Sequence, residues 1–141
     1  MSTVRFEDVQ VGDALPPARH EVTRADLRAY AEASGDRNPI HLDETVARSV
    51  GLPDVIAHGM LTMGLAGQSA AGWAGDPAAV LEFATKFTAP VVVPAQGAAV
   101  VEVAGTVAAV DAEHRTATVD LAVTSAGVKV LGRARAVVRL P

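Results

Sequence analysis

The chain of 141 residues contains no cysteine, which removes disulfides, thiolate catalysis and cysteine-based zinc sites from consideration. Aromatic residues make up only 4% against a hydrophobic fraction of 50%, so a core must be assembled from Ala, Val and Leu. Small side chains each bury little area, and such a core gains from further burial against a partner. Basic residues number 12 against 16 acidic ones, and no basic stretch is interleaved with aromatics, so no nucleic acid partner is expected. The N-terminus lacks the apolar run of a signal peptide: Arg5, Glu7 and Asp8 stand there instead, and a cytoplasmic location is expected. No repeat, low-complexity tract or linker divides the chain, which reads as one domain over residues 1–141. Charge is absent from residues 59–73, but that stretch is too short and too rich in glycine for membrane insertion.

The most informative segment is Ser34-Gly35-Asp36-Arg37-Asn38-Pro39-Ile40-His41. Gly35 permits unusual backbone angles and Pro39 pushes Asn38 toward extended geometry, so this is a bent loop rather than helix. On a helix, residues five apart face different ways; on such a loop Asp36 and His41 can converge. Two readings fit. One is a capped turn with a solvated Asp and a packed His. The other is a carboxylate and imidazole sharing a water or hydroxyl as a general acid/base pair.

The surrounding pattern places the loop. Thr23, with Asp26 three residues on, predicts a capped helix over 24–33 that ends at Gly35. Asp43 predicts a cap for a second short helix over 44–50, stopped by Gly51 and Pro53. Residues 59–73 are apolar or small on every side and read as a buried central helix, with Met60 and Met63 in the core. A strand is expected near residues 18–22. Period-two alternation then predicts strands over 81–87, 97–110, 115–124 and 128–140, joined by short turns as an antiparallel meander. The expected class is α+β: a curved antiparallel sheet wrapped around a buried central helix, the hot-dog fold. His58 and Gly59 stand at the start of that helix, where free N–H groups and the helix dipole gather. An acid/base pair beside such an oxyanion site suits proton removal alpha to a thioester carbonyl.

The run from Tyr30 to His41, with Ala47 beyond it, resembles the hydratase signature of the MaoC-like family of (R)-specific enoyl-thioester hydratases and (3R)-hydroxyacyl-thioester dehydratases. Ala57-His58-Gly59-Met60 is similar to the family's second landmark, and Phe6-Glu7-Asp8-Val9-Gln10-Val11-Gly12-Asp13 to its lead-in. Ala33 departs from the pattern, where larger aliphatics are usual. Gly72 to Pro77, Phe83 to Phe87 and Pro94 resemble in particular the catalytic β subunits of actinobacterial (3R)-hydroxyacyl-ACP dehydratases of mycolic acid elongation.

The resemblance implies reversible dehydration of (3R)-hydroxyacyl thioesters to trans-2-enoyl thioesters. It casts Asp36 and His41 as the catalytic pair and the Gly59 N–H as the group that binds the thioester oxygen. Asn38, Pro39 and His58 are implied as loop-supporting residues. No cofactor and no metal is expected, since the alpha proton of a thioester is acidic enough for side-chain bases. Asp36 is expected to be partly desolvated. The implied partners are an acyl-ACP or acyl-CoA substrate and a second hot-dog subunit, giving a homodimer or a heterodimer with a related chain. Two other functions fit the same fold: a homodimeric (R)-specific enoyl-CoA hydratase of short-chain metabolism, and a non-catalytic accessory subunit that encloses an acyl chain. Thioester hydrolysis is not expected, because no Asp or Glu lies in residues 59–73. Arg133 and Arg135 share one side of the last strand as a solvated face or a phosphate contact, and His20 and His114 read as ordinary histidines.

Overall fold

A computed structural model describes residues 4–141; Met1 to Thr3, the start of the charged N-terminal segment, lie outside the described residues. A short 3₁₀ turn at Phe6–Asp8 leads into strand β1 (Ala18–Val22) and helix α1 (Arg24–Ser34). A 3₁₀ turn at Pro39–His41 and helix α2 (Glu44–Ser49) precede the long helix α3 (Gly59–Ala74). Four strands follow: β2 (Val80–Phe87), β3 (Ala99–Asp111), β4 (Thr116–Ser125) and β5 (Val128–Arg139).

The helix ends have local causes. The Thr23 hydroxyl accepts from the Asp26 N–H, while the Asp26 carboxylate accepts from the Thr23 N–H at 2.8 Å. This reciprocal box satisfies two donors that the first turn of α1 would otherwise leave bare. At the other end Gly35 adopts the left-handed conformation (φ 80°) and its N–H closes on Ala31 O. The Asp43 carboxylate accepts from the Thr45 and Val46 N–H groups and starts α2.

All five strands form one antiparallel sheet in the order β1-β3-β4-β5-β2. The expected meander therefore holds for β3, β4 and β5 only. β2 crosses over to pair with β5, and β1 lies beside β3 on the opposite side. Sequence alternation shows which residues face the core, but not which strand neighbours which. In β3, Val101, Val103 and Val107 are buried between exposed or half-buried neighbours; Val119, Leu121 and Val123 do the same in β4. In β2 the alternation fails. Register shifts between Val80 and Glu82 and between Ala84 and Lys86 change its phase, and Leu81 and Phe87 emerge exposed.

Helix α3 packs on the sheet through Thr62, Ala66, Ala70 and Ala74, which are buried. The opposite stripe, Met60, Gly64, Gln68 and Gly72, is exposed. The sheet of one chain thus covers one side of the helix, not all of it. The expectation of a helix buried all round, with Met60 in the core, is corrected by Met60 being 60% exposed.

Candidate active site

Residues 36–41 hold their shape through bonds inside the loop. Asp36 N–H donates to Ser34 Oγ, and the Asp36 carboxylate accepts from the Asn38 N–H at 3.2 Å. The Asn38 side-chain oxygen accepts in turn from the Ile40 N–H at 3.2 Å. Pro39 occupies the first position of the 3₁₀ turn, where its missing N–H costs nothing, and its carbonyl accepts from Leu42 and Asp43 N–H groups. Asn38 and Pro39 therefore brace the loop by distinct means, one by hydrogen bonding and one by covalent geometry.

The loop docks on residues 55–58, which are themselves tied to residues 91–93. Val93 N–H donates to Val55 O, Ala57 N–H to Val91 O, and Ile56 N–H to Ile40 O. Half-buried Arg24 anchors the same region: its Nε donates to Val93 O and one terminal nitrogen reaches Asp54 Oδ1, each at 2.8 Å. The Val55 N–H bonded to Asp54 holds that carboxyl below the usual carboxylate range, and Arg24 and Arg48 add to the effect.

On this platform sit two stacked imidazoles. His41 is 7% exposed and its Nδ1 lies 2.7 Å from Ile56 O. A carbonyl only accepts, so Nδ1 carries the proton and, in the neutral ring, Nε2 is left as the basic nitrogen. His58, 1% exposed, stacks on His41 with ring centroids 3.9 Å apart, and Tyr30 flanks its ring at 4.7 Å. By the same logic His58 Nε2 donates to the Asp36 backbone carbonyl at 3.0 Å. Its Nδ1 is then bare, buried, and without a partner among the described residues. Burial pushes the His58 pKa down; the bond to the Asp36 carbonyl opposes that shift, and His41 nearby reinforces it.

Asp36, His41 and His58 each offer a polar atom within 4.8 Å of the other two. The spacing is within reach of a cation, although in each ring one nitrogen is already committed to a backbone carbonyl. A second trio, Asp111, Glu113 and His114, is exposed at the β3–β4 turn, where the Asp111 carboxylate accepts from the Glu113 and His114 N–H groups. Asp36 itself is exposed in the single chain, contrary to the expected desolvation.

His41 opens onto a cavity of about 320 Å³ walled by Ile56, Gly59, Thr62, Phe87, Val91 and Leu131, among others. Gly59 is the first residue of α3, and its N–H donates to no acceptor among the described residues. The Phe87 ring lies against it so closely that a Cβ there would meet ring carbon at 3.0 Å. The structure thus brings Asp36, His41 and His58 together, with His41 and Gly59 lining one apolar hollow. Sequence reasoning missed Ile56, whose carbonyl selects the His41 tautomer, the Arg24–Asp54 anchor, and Thr62 and Phe87 in the cavity wall. Only Phe87 carried a visible signal, lying within a stretch already singled out.

The family described as MaoC like domain matches residues 8–126. The chain belongs to this family. A curated relative, 3-hydroxyacyl-thioester dehydratase X of Mycobacterium tuberculosis, is 43% identical over 83 residues, which is 57% of this chain and 29% of that protein. The chain spans less than half the length of the curated relatives it matches. Among solved structures, a MaoC-like dehydratase superimposes with a TM-score of 0.95 at 45% identity, over 99% of this chain and 43% of that one. An (R)-hydratase from A. caviae involved in PHA biosynthesis superimposes with a TM-score of 0.84 at 26% identity, over 96% of this chain and 99% of the other. The fold of this MaoC-like chain is the α+β hot-dog arrangement expected from its sequence.

Proposed function

We propose that this MaoC-like chain is a hydro-lyase that reversibly adds water to trans-2-enoyl thioesters and removes it from (3R)-hydroxyacyl thioesters. The observation that carries the reading is the convergence of the Asp36 carboxylate with the His41 ring, which opens onto an apolar cavity also lined by Gly59, whose N–H has no acceptor among the described residues. In hydration, Asp36 and His41 hold one water between them. As its oxygen attacks the beta carbon, the pair takes a proton from it, and a proton passes to the alpha carbon. Negative charge that develops on the thioester oxygen is received by the Gly59 N–H at the positive end of α3. Dehydration runs the same steps backwards, with base and acid exchanging roles, and needs no cofactor. Asn38 and Pro39 hold the loop, and His58 acts as a positioning residue that ties the Asp36 backbone to the start of α3.

The names of the relatives support this chemistry, since both a 3-hydroxyacyl-thioester dehydratase and an (R)-hydratase are among them. Within the same reading, residues 1–141 are one hot-dog domain that acts in the cytoplasm and works with a second such unit. Among the described residues no helix is long and apolar enough to cross a membrane. Elongation on an acyl carrier protein with a related partner subunit is one setting. A stand-alone homodimeric hydratase acting on acyl-CoA is the other, favoured by the near-complete mutual coverage with the A. caviae (R)-hydratase.

The direct test is hydration of crotonyl-CoA by the purified chain, alone and with a co-expressed related subunit. Asp36→Asn and His41→Gln should each lower turnover by about 10²–10⁴-fold while leaving thermal unfolding nearly unchanged. Either variant keeping most of the activity removes that residue from the chemistry. An inactive but acyl-binding wild-type chain would point to the accessory-subunit role.

A further inference from the structure

We propose that Phe83 and Phe87 of β2 set the length of acyl chain the site admits, and that the site is built for a short one; the proposal rests on the hydro-lyase reading. The cavity beside His41, about 320 Å³, lies at the low end of the roughly 300–1,000 Å³ typical of small-molecule pockets. Part of that space must hold the thioester itself. The inner wall does not recede: Thr62, Val91, Val130 and Leu131 are buried, three of them within the main apolar core.

Inward from the cavity, a longer tail would run along the seam between α3 and β2, where Gly59 and Gly67 face the strand. That seam is stoppered twice. The Phe87 ring stands 3.0–3.3 Å from a Cβ placed on Gly59, and the Phe83 ring 3.0–3.1 Å from one placed on Gly67. Gly59 and Gly67 are two turns apart, about 12 Å along the helix. Phe87 and Phe83 are separated by about 13 Å along the strand. Helix and strand thus run side by side with a ring seated on a glycine at each end. The chain has three phenylalanines, and two of them are spent here. Phe87 walls the cavity, whereas half-buried Phe83 lies beyond its lining and packs on the core. Admitting a long tail means expelling Phe83 from that contact, and its burial opposes the move.

The test compares kcat/KM for crotonyl-, octenoyl- and hexadecenoyl-CoA. The wild type should favour crotonyl-CoA over hexadecenoyl-CoA by at least about tenfold, and Phe83→Ala should raise the long-to-short ratio by about tenfold. Phe83→Leu, which keeps the packing better, should give a smaller change in the same direction and guards against misfolding. Phe6→Ala loosens the core away from the seam and should leave the ratio unchanged. A wild type that prefers hexadecenoyl-CoA, or a ratio unmoved in both Phe83 variants, overturns the proposal while turnover of crotonyl-CoA keeps the hydro-lyase reading. If no chain length is turned over, calorimetric binding of the matching saturated acyl-CoAs decides. Affinity that falls with length, and is restored by Phe83→Ala, sustains the size filter without the chemistry; affinity indifferent to length removes both.

Discussion

His58 ties the loop that carries Asp36 and His41 to the start of α3. Its ring is desolvated, stacked on His41, and bonded through Nε2 to the backbone of Asp36. Because burial holds its pKa below the ordinary imidazole value, the unfolded chain takes up this proton first as pH falls. The stability His58 contributes is complete above about pH 6.5 and is lost progressively below it. Thermal unfolding followed from pH 7 downward should show the wild type losing Tm below about pH 6.5, more steeply than His58→Gln. Equal slopes would mean that the imidazole is not held neutral. Gly59 makes a second prediction at this scale. In Gly59→Ala the new methyl displaces the Phe87 ring from contact at 3.0 Å, reshaping the cavity beside the free N–H. Hydration should fall by up to about 10²-fold, because the backbone N–H is kept but the thioester is misplaced against it, with unfolding little affected. Unchanged kinetics would show that the thioester does not lie against the Phe87-covered start of α3.

Helix α1 sets where the candidate-site loop departs, because the loop begins where the helix stops. The capping box at Thr23 and the left-handed Gly35 set the two ends of that helix and so the point from which Asp36 departs. Thr23→Ala should destabilise the protein by about 1 kcal/mol in urea unfolding, with turnover retained once folded. Gly35→Ala adds a strain of about 1–2 kcal/mol at a left-handed position and should also disturb turnover, since the loop must leave α1 by another route. If both variants affect only stability, the end of α1 does not set the loop geometry. Segment 55–58 is the other support. It accepts the loop through Ile56 and is braced from behind by residues 91–93.

Among the described residues, the single chain leaves open to water the stripe of α3 carrying Met60, Gly64, Gln68 and Gly72, and the outer edge of β2, where Leu81 and Phe87 are exposed. An uncovered strand edge beside an exposed helix stripe is a surface that invites a second unit. Among the described residues nothing covers Asp36, which is exposed in the single chain. In solution the protein should have twice the 14.4 kDa mass of one chain, or the mass of a complex with a related hot-dog subunit when the two are co-expressed. Met60→Glu should shift either assembly toward the single chain, as measured by light scattering. A monomeric wild type with full activity would remove the second unit from the reading.

Local sequence was enough to determine the helix caps, the bent loop and the alternation of β3, β4 and β5. Each of these depends on neighbours within about one turn or one pleat, so the information is local. Tertiary structure alone decided the rest. β2 lies beside β5 because of a crossover, and its phase is broken by bulges that no alternation announces. Arg24 finds Val93 and Asp54 across separations of 69 and 30 residues, and the tautomer of His41 is chosen by a carbonyl 15 residues away. α3 reads as apolar on all sides, yet one sheet can cover only one of its faces. Burial is a property of what packs against a residue, and that partner is fixed by the path of the whole chain.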